Sequence, residues 1–250
     1  MFQSLLPFLV FVVFIVVVGV ALSRWKQRQN QQRMDALRAG AAARGWSCET
    51  SKEGVFDLTR WQGQTDGVRW TAEHRRLRHK RKGQTRTHNV RWWADGFGGP
   101  TSPLLLMGVP QGQETPALKL AQGEGLLATM AQKVAGFALD QSLDTYFGVE
   151  AGQQVDARAL RMVDGTALPG FIALAVDANS GAFWLNQPVH RAAIDAQVRN
   201  ASSALSDEVD RPWVLLLGPR VGLARMAPVS SIADLERLVR AGVALVQAAG

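Results

Sequence analysis

Histidine has the widest chemical use of the residue types in this chain, and three of its four histidines lie close together in the sequence. His74, His79 and His88 stand in one basic stretch, whereas His190 stands alone. Imidazole nitrogens bind metal ions and exchange protons near neutral pH. Because the surrounding residues are strongly positive and oppose a cation, the sequence favours ordinary polar positions, and we predict no metal site.

Motifs for cofactor binding or catalysis are weak. Residues 123–128, GEGLLA, match the loose dinucleotide pattern G-x-G-x-x-A, but the lead-in is polar at alternate positions where a buried strand is required. Ser180 lacks the glycines of a nucleophile elbow. Asp140 and Asp144 have the spacing of an ordinary solvated helix face. The sequence therefore predicts no cofactor and no catalytic residue, and it does not favour an enzyme.

Positive charge is the strongest chemical signal, and it is concentrated in HRRLRHKRKGQTRTH, residues 74–88. Such a stretch contacts anionic lipid, an acidic protein or nucleic-acid phosphates, or it only keeps a hairpin tip soluble. Nucleic acid is the weaker alternative, because base stacking needs exposed aromatic rings and only Trp93 is placed to offer one. The candidate contact residues for an anionic partner are Arg75, Arg76, Arg78, Lys80, Arg81, Lys82 and Arg86.

Residues on both sides of this stretch predict an antiparallel ribbon that positions it. Apolar and polar residues alternate over 68–73 and again over 89–94, which is typical of half-buried strands. The turn is predicted near residues 81–83. Because the apolar alternation stops at Ala72 and resumes at Val90, we expect the distal part of the ribbon to project from the core.

An uncharged apolar run, LLPFLVFVVFIVVVGVAL, covers residues 5–22. In a helix this run is roughly 27 Å long, close to the ~30 Å hydrocarbon core of a bilayer, so it predicts one N-terminal transmembrane helix. A cleaved signal peptide is the alternative, disfavoured because no basic residue precedes the run. Basic residues follow it, which places the N-terminus outside and the rest of the chain in the cytoplasm. The predicted membrane-interface residues are Arg24, Trp25, Lys26 and Arg28.

The predicted organisation is an anchor over 1–23, a basic juxtamembrane helix over 24–45 and a cytoplasmic domain over 46–250, with two subdomains meeting near 150–168 as an alternative. Short strands in antiparallel groups, separated by helices, favour an α+β fold. The single cysteine, Cys48, excludes an intramolecular disulfide and a cysteine-rich zinc cluster. Further strands are predicted at 104–109, 171–176, 213–217 and 223–226, and helices at 125–139, 189–205 and after Ser231.

Two short elements carry a resemblance to a protein group. Residues 41–46 read Ala-x-x-Arg-Gly-Trp, and residues 67–70 read Gly-Val-Arg-Trp. Over about residues 5–95 the chain resembles uncharacterised bacterial single-pass inner-membrane proteins in which a basic juxtamembrane helix ends in Arg-Gly-Trp. The resemblance implies a bacterial inner-membrane location and an α+β cytoplasmic domain, and it implies no catalytic residues.

These observations predict a membrane-tethered interaction domain whose basic ribbon contacts anionic lipid or an acidic partner. One alternative is a membrane-anchored enzyme or small-ligand binder whose site is formed by the fold, and another is a membrane-tethered nucleic-acid binder. A solid core with a bare ribbon would favour the first hypothesis, and a cavity lined by inward polar groups would favour the second. The third requires Trp93 and basic side chains on one exposed face. The sequence does not predict an oligomeric state.

Overall fold

An antiparallel sheet with helices on both faces organises the computed structural model, which describes residues 5–78, 88–96, 98–108, 138–163, 168, 171–194 and 212–249. Within these residues the sheet has nine strands in the order β1-β2-β3-β4-β9-β8-β5-β7-β6, and every pair of neighbours is antiparallel. The strands are β1 (Ser47–Glu53), β2 (Phe56–Thr65), β3 (Val68–Leu77), β4 (His88–Asp95), β5 (Leu104–Gly108), β6 (Arg161–Met162), β7 (Phe171–Ala175), β8 (Trp213–Leu217) and β9 (Arg220–Arg225).

Helices cover parts of both sheet faces. The first and longest, α1, is continuous over 38 residues and carries the chain to the edge of the sheet at β1. The described helices are α1 (Leu5–Ala42), α2 (residues 138–147), α3 (Val149–Gln154), α4 (Ala178–Leu185), α5 (Pro188–Ala193) and α6 (Ile232–Ala249).

Tight turns link the first three strands and fix their register. Thr65 pairs with Val68, so Asp66 and Gly67 form a two-residue hairpin turn, and both have positive φ. This conformation requires residues that tolerate the left-handed region, which is why Asp-Gly is a strong hairpin signal. With the register fixed, even-numbered residues of β3 such as Trp70 and Ala72 lie on one face and odd-numbered residues such as Glu73 on the other.

Two apolar cores lie on opposite faces of the sheet. The first core joins α1, α4, α5 and α6 to residues such as Trp61 and Trp92, both fully buried. The second joins α2 and the segment 155–160 to the other face, where Phe147 packs near Trp93. Close approach in the first core depends on Gly242 of α6, where an added Cβ would lie 2.4 Å from the Trp92 ring.

The prediction of a transmembrane helix is wrong for the described residues. No helix among the described residues is both long and apolar enough to cross a membrane. α1 continues past the apolar run of residues 5–22 into the basic segment that begins at Arg24. Downstream of it, Leu37 and Ala41 are buried in the first core, so the end of α1 belongs to the α+β fold.

Much of the predicted secondary structure is confirmed. The ribbon arms are β3 and β4, three further predicted strands correspond to β5, β7 and β8, and the α+β class holds. The final helix begins after Ser231, whose Oγ accepts a hydrogen bond from the Asp234 N–H at 3.2 Å. The predicted turn of the ribbon, most of the helix at 125–139 and most of the helix at 189–205 lie outside the described residues.

Candidate functional site

The basic ribbon does not form one continuous cationic surface over its described part. Alternation along β3 places Arg75 and Arg76 on opposite faces of the sheet. Arg75 pairs with Glu53 at 2.7 Å, whereas Arg76 lines a cavity beside α1. Arg78, at the end of β3, donates to the Gly54 carbonyl and lies 3.9 Å from an Asp57 oxygen. The other candidate contacts, Lys80, Arg81, Lys82 and Arg86, lie outside the described residues.

Two of the histidines singled out in the sequence meet across the ribbon. His74 lies opposite Val90, and His88 lies opposite Arg76, so the two rings are diagonal neighbours. His74 Nε2 and His88 Nδ1 are 3.0 Å apart, within hydrogen-bond distance. One ring therefore donates its N–H and the other accepts it, which leaves the remaining nitrogen of each ring for another partner.

The histidine pair lies in a cavity of about 590 Å³ between α1 and the sheet. One wall is apolar, with Leu37 and Val229 buried and Met34 packed against the same core. The opposite end is polar and carries three cations against one carboxylate. The lining residues on which the site's chemistry depends are Arg33, Lys52, Asp57, His74, Arg76 and His88.

Contacts at the end of α1 hold this helix over the sheet and so shape the cavity. Arg33 donates to the Val229 carbonyl, and Arg38 donates to Thr50 Oγ1 at 2.8 Å. An added Cβ at Gly40 would lie 2.8 Å from Ile232, so the glycine allows α1 to lie close to α6. The helix that was predicted as a membrane anchor with a juxtamembrane extension thus supplies one wall of the site.

Electrostatics in the cavity disfavour an additional positive charge. Burial, the neighbouring His88 and the guanidinium groups of Arg33, Arg225 and Arg76 lower the pKa of His74 to about 3. Burial, followed by Arg76 and Arg33, also lowers the pKa of His88. Both rings are therefore neutral at pH 7, where they act as hydrogen-bond donors and acceptors and carry no charge.

A metal ion is a poor fit to the same cavity. A third histidine, His79, lies outside the described residues. Within the described ranges, no group of three or more histidine, cysteine or acidic side chains is placed to hold a metal ion. The cations around the histidine pair would also repel one.

The opposite face of the ribbon has a larger open groove, of about 1340 Å³, but its charges are already compensated. The Glu73 carboxylate is buried between Arg60, at 2.7 Å, and Arg91, at 2.5 Å. Burial acts to raise the pKa of Glu73, but the two guanidinium groups outweigh it and hold that pKa below its ordinary value. Arg220 on this face likewise pairs with Asp95, at 2.7 Å. A phosphate backbone would therefore find little uncompensated charge here.

Trp93 also lies on this face, but it is half-buried. Its ring centroid is 5.5 Å from that of Phe147, and the Arg220 guanidinium lies over it at 5.9 Å. Stacking on a nucleobase would have to compete with both contacts. The nucleic-acid alternative thus has an aromatic ring and cations on one face, but most of these groups are already paired.

Other residues considered in the sequence do not add to the site. Ser180 Oγ is 2.9 Å from Thr101 Oγ1 on the surface, and His190 is buried, with its ring stacked on Trp184 at 4.0 Å. The dinucleotide-like residues 123–128 lie outside the described residues. The predicted membrane-interface side chains, Arg24, Trp25, Lys26 and Arg28, are exposed on α1, and their predicted role depended on the transmembrane helix.

Sequence reasoning missed the cavity because its walls come from distant segments. Arg33 and Arg76 are 43 positions apart, and Val229 comes from near the other end of the chain. One feature of the sequence could have indicated the site: His74 and His88 stand at the two ends of the basic stretch, where the arms of a ribbon bring them together. Comparison of the chain with protein-family models, with curated proteins and with solved structures finds no match in any of the three.

Proposed function

We propose that this protein is a binding domain for a small organic anion, held in the cavity between α1 and the base of the basic ribbon. The single observation that carries the proposal is the hydrogen-bonded His74–His88 pair, in a cavity whose polar end also carries Arg33 and Arg76. A cavity lined by inward polar groups favours a small-ligand binder over an interaction domain with a bare ribbon.

Charge in the cavity supports an anionic ligand. Arg33, Lys52 and Arg76 face one carboxylate, Asp57, which also lies near Arg78 on the outer side. A carboxylate, sulfonate or phosphate group accepts hydrogen bonds from guanidinium groups and from imidazole N–H groups. The neutral histidines offer hydrogen-bond donors to the anion, and because they carry no charge, burying them avoids the cost of desolvating a charged ring.

Shape and polarity support an organic ligand over an inorganic ion. The volume, about 590 Å³, falls within the range of typical ligand sites, which are mostly apolar with a few placed polar groups. Met34 and Pro228 line the cavity and are half-buried, so an apolar tail would cover them and displace water from them. We therefore expect an amphipathic anion with its charged group at the histidine end.

Isothermal titration calorimetry of the full chain with octane-1-sulfonate tests this proposal. Methanesulfonate carries the charged group alone and 1-octanol the tail alone, so both should bind far more weakly. Arg76→Gln should weaken octanesulfonate binding by about tenfold, the worth of one exposed charge-assisted hydrogen bond of roughly 1.5 kcal/mol.

Arg75→Gln is the matched control, because the same substitution on the next residue of β3 falls on the opposite face. It should leave the octanesulfonate affinity within about twofold of the unmodified protein. Equal loss in the two variants would mean that the ribbon attracts anions through its overall charge, and no octanesulfonate binding would refute the proposal.

The remaining cations of the ribbon are compatible with the same kind of ligand. Lys80, Arg81, Lys82 and Arg86 were predicted to contact anionic lipid or an acidic protein, and that stays a prediction. The partner predicted for the ribbon and the ligand proposed for the cavity at its base are both negatively charged.

A further inference from the structure

We infer that anion binding in the α1 cavity takes up a proton on the His74–His88 pair, so that the protein binds its ligand more tightly as the pH falls. The inference rests on the proposed function and names its regulation. It follows from the geometry of the pair and from the charges that surround it.

The geometry allows the pair to accept one proton without losing its internal contact. The two rings share a hydrogen bond of 3.0 Å, which uses one N–H and one lone pair. A neutral pair has one further lone pair, so one proton can add there and make a singly charged pair that keeps the hydrogen bond. A second proton would place two N–H groups against each other and break the contact. The pair is therefore a site for one proton.

In the empty cavity, surrounding cations oppose this proton. Cationic groups face the rings from α1, β1, β3 and β9, and the acidic groups near them are fewer. The charged groups around the pair are Arg33 of α1, Lys52 of β1, Asp57 of β2, Arg76 of β3, and Arg225 of β9, which is paired with Asp234 of α6 at 2.8 Å. Burial is the largest cause of the lowered pKa of both histidines, and the neighbouring cations lower it further.

An anion at the polar end reverses this balance. Its charge lies next to Arg33 and Arg76 and offsets their effect on the rings, while its oxygen accepts a hydrogen bond from a protonated imidazole. Protonation is therefore more favourable in the complex than in the free protein. By linkage, protons and ligand then bind cooperatively, and each strengthens the binding of the other.

Calorimetry of octane-1-sulfonate binding in two buffers with different enthalpies of ionisation measures the proton directly. The sulfonate group stays ionised throughout, so any proton taken up belongs to the protein. At about pH 6 we expect uptake of a fraction of one proton for each octanesulfonate bound. We also expect the Kd to fall between about pH 8 and pH 6, by at most about tenfold for each pH unit, which is the limit for one proton.

A double variant, His74→Gln with His88→Gln, keeps polar side chains but removes the titrating rings. It should bind octanesulfonate more weakly, through Arg33 and Arg76 alone, with no proton uptake and a Kd that does not change with pH. Binding by the unmodified protein with no proton uptake would overturn this inference and leave the proposed function intact. Absence of binding at every pH would overturn both.

Discussion

Acidification should destabilise this protein well above the pH at which carboxylates titrate, because of His74. Its pKa lies at about 3 in the folded chain, against 6.5 for an ordinary histidine. The unfolded chain therefore binds more protons than the folded chain between these two values, so the free energy of unfolding rises with pH across that window. Stability is fully present above about pH 6.5 and is lost as the pH falls towards 3.

The size of the effect follows from the same two values. At about pH 5 the folded ring is still neutral, while the unfolded ring has passed its pKa by 1.5 units. At roughly 1.4 kcal/mol for each unit, the loss between about pH 7 and pH 5 is about 2 kcal/mol from His74 alone. His88, whose pKa is also lowered, adds to it in the same direction. Glu73 and Asp234 have lowered pKa values and contribute only at lower pH.

Urea unfolding of the full chain at about pH 7, 6 and 5, followed by tryptophan fluorescence, measures this loss. Between about pH 7 and pH 5, the His74→Gln variant should lose less of its free energy of unfolding than the unmodified chain does. The difference between the two losses should be about 2 kcal/mol. Parallel pH profiles for the two proteins would refute the reasoning, since His74 would then titrate alike in the folded and unfolded states.

Two further predictions concern the cores. Gly242→Ala should lower the free energy of unfolding by about 1 to 3 kcal/mol, measured in urea, because its methyl group overlaps the Trp92 ring. Gly19→Ala is the control: nothing lies within 4 Å of the added Cβ, so it should be neutral or slightly stabilising. Equal effects of the two substitutions would contradict this account. Asp234→Asn should lower the free energy of unfolding by about 3 to 5 kcal/mol, because it removes the carboxylate that pairs with the fully buried Arg225. The loss is measured as a lower melting temperature and a lower urea midpoint. A loss below about 1 kcal/mol would count against this prediction.

Local patterns in the sequence were sufficient for the elements that carry their own signals. The alternation around Trp70 and Trp92 predicted β3 and β4, and the serine before the apolar stripe of α6 predicted where that helix begins. Each of these signals lies within a few residues of the structure that it specifies.

Long-range features could not be predicted in this way. The pairing of β4 with β9, the buried Arg225–Asp234 pair and the cavity under α1 all join residues whose proximity depends on the complete fold. The apolar run at residues 5–22 was misleading because its composition suggested a lipid environment. The basic helix after it was predicted as a solvated juxtamembrane extension, whereas its end packs against the sheet. The end of α1, with Leu37 and Ala41 in the core, is specified by tertiary contacts.

The β4–β9 pairing also determines how the chain can fold. Asp95 pairs with Arg220, so this junction closes a loop of 125 residues, and the strands on its two sides cannot form one sheet until it closes. Non-local pairings of this kind slow folding, because the entropy of loop closure is lost before the contacts are gained. During synthesis, β4 would remain an unpaired edge until residue 225 has left the ribosome. Until then the β1–β4 meander has an open edge at β4, where another strand can pair and cause aggregation.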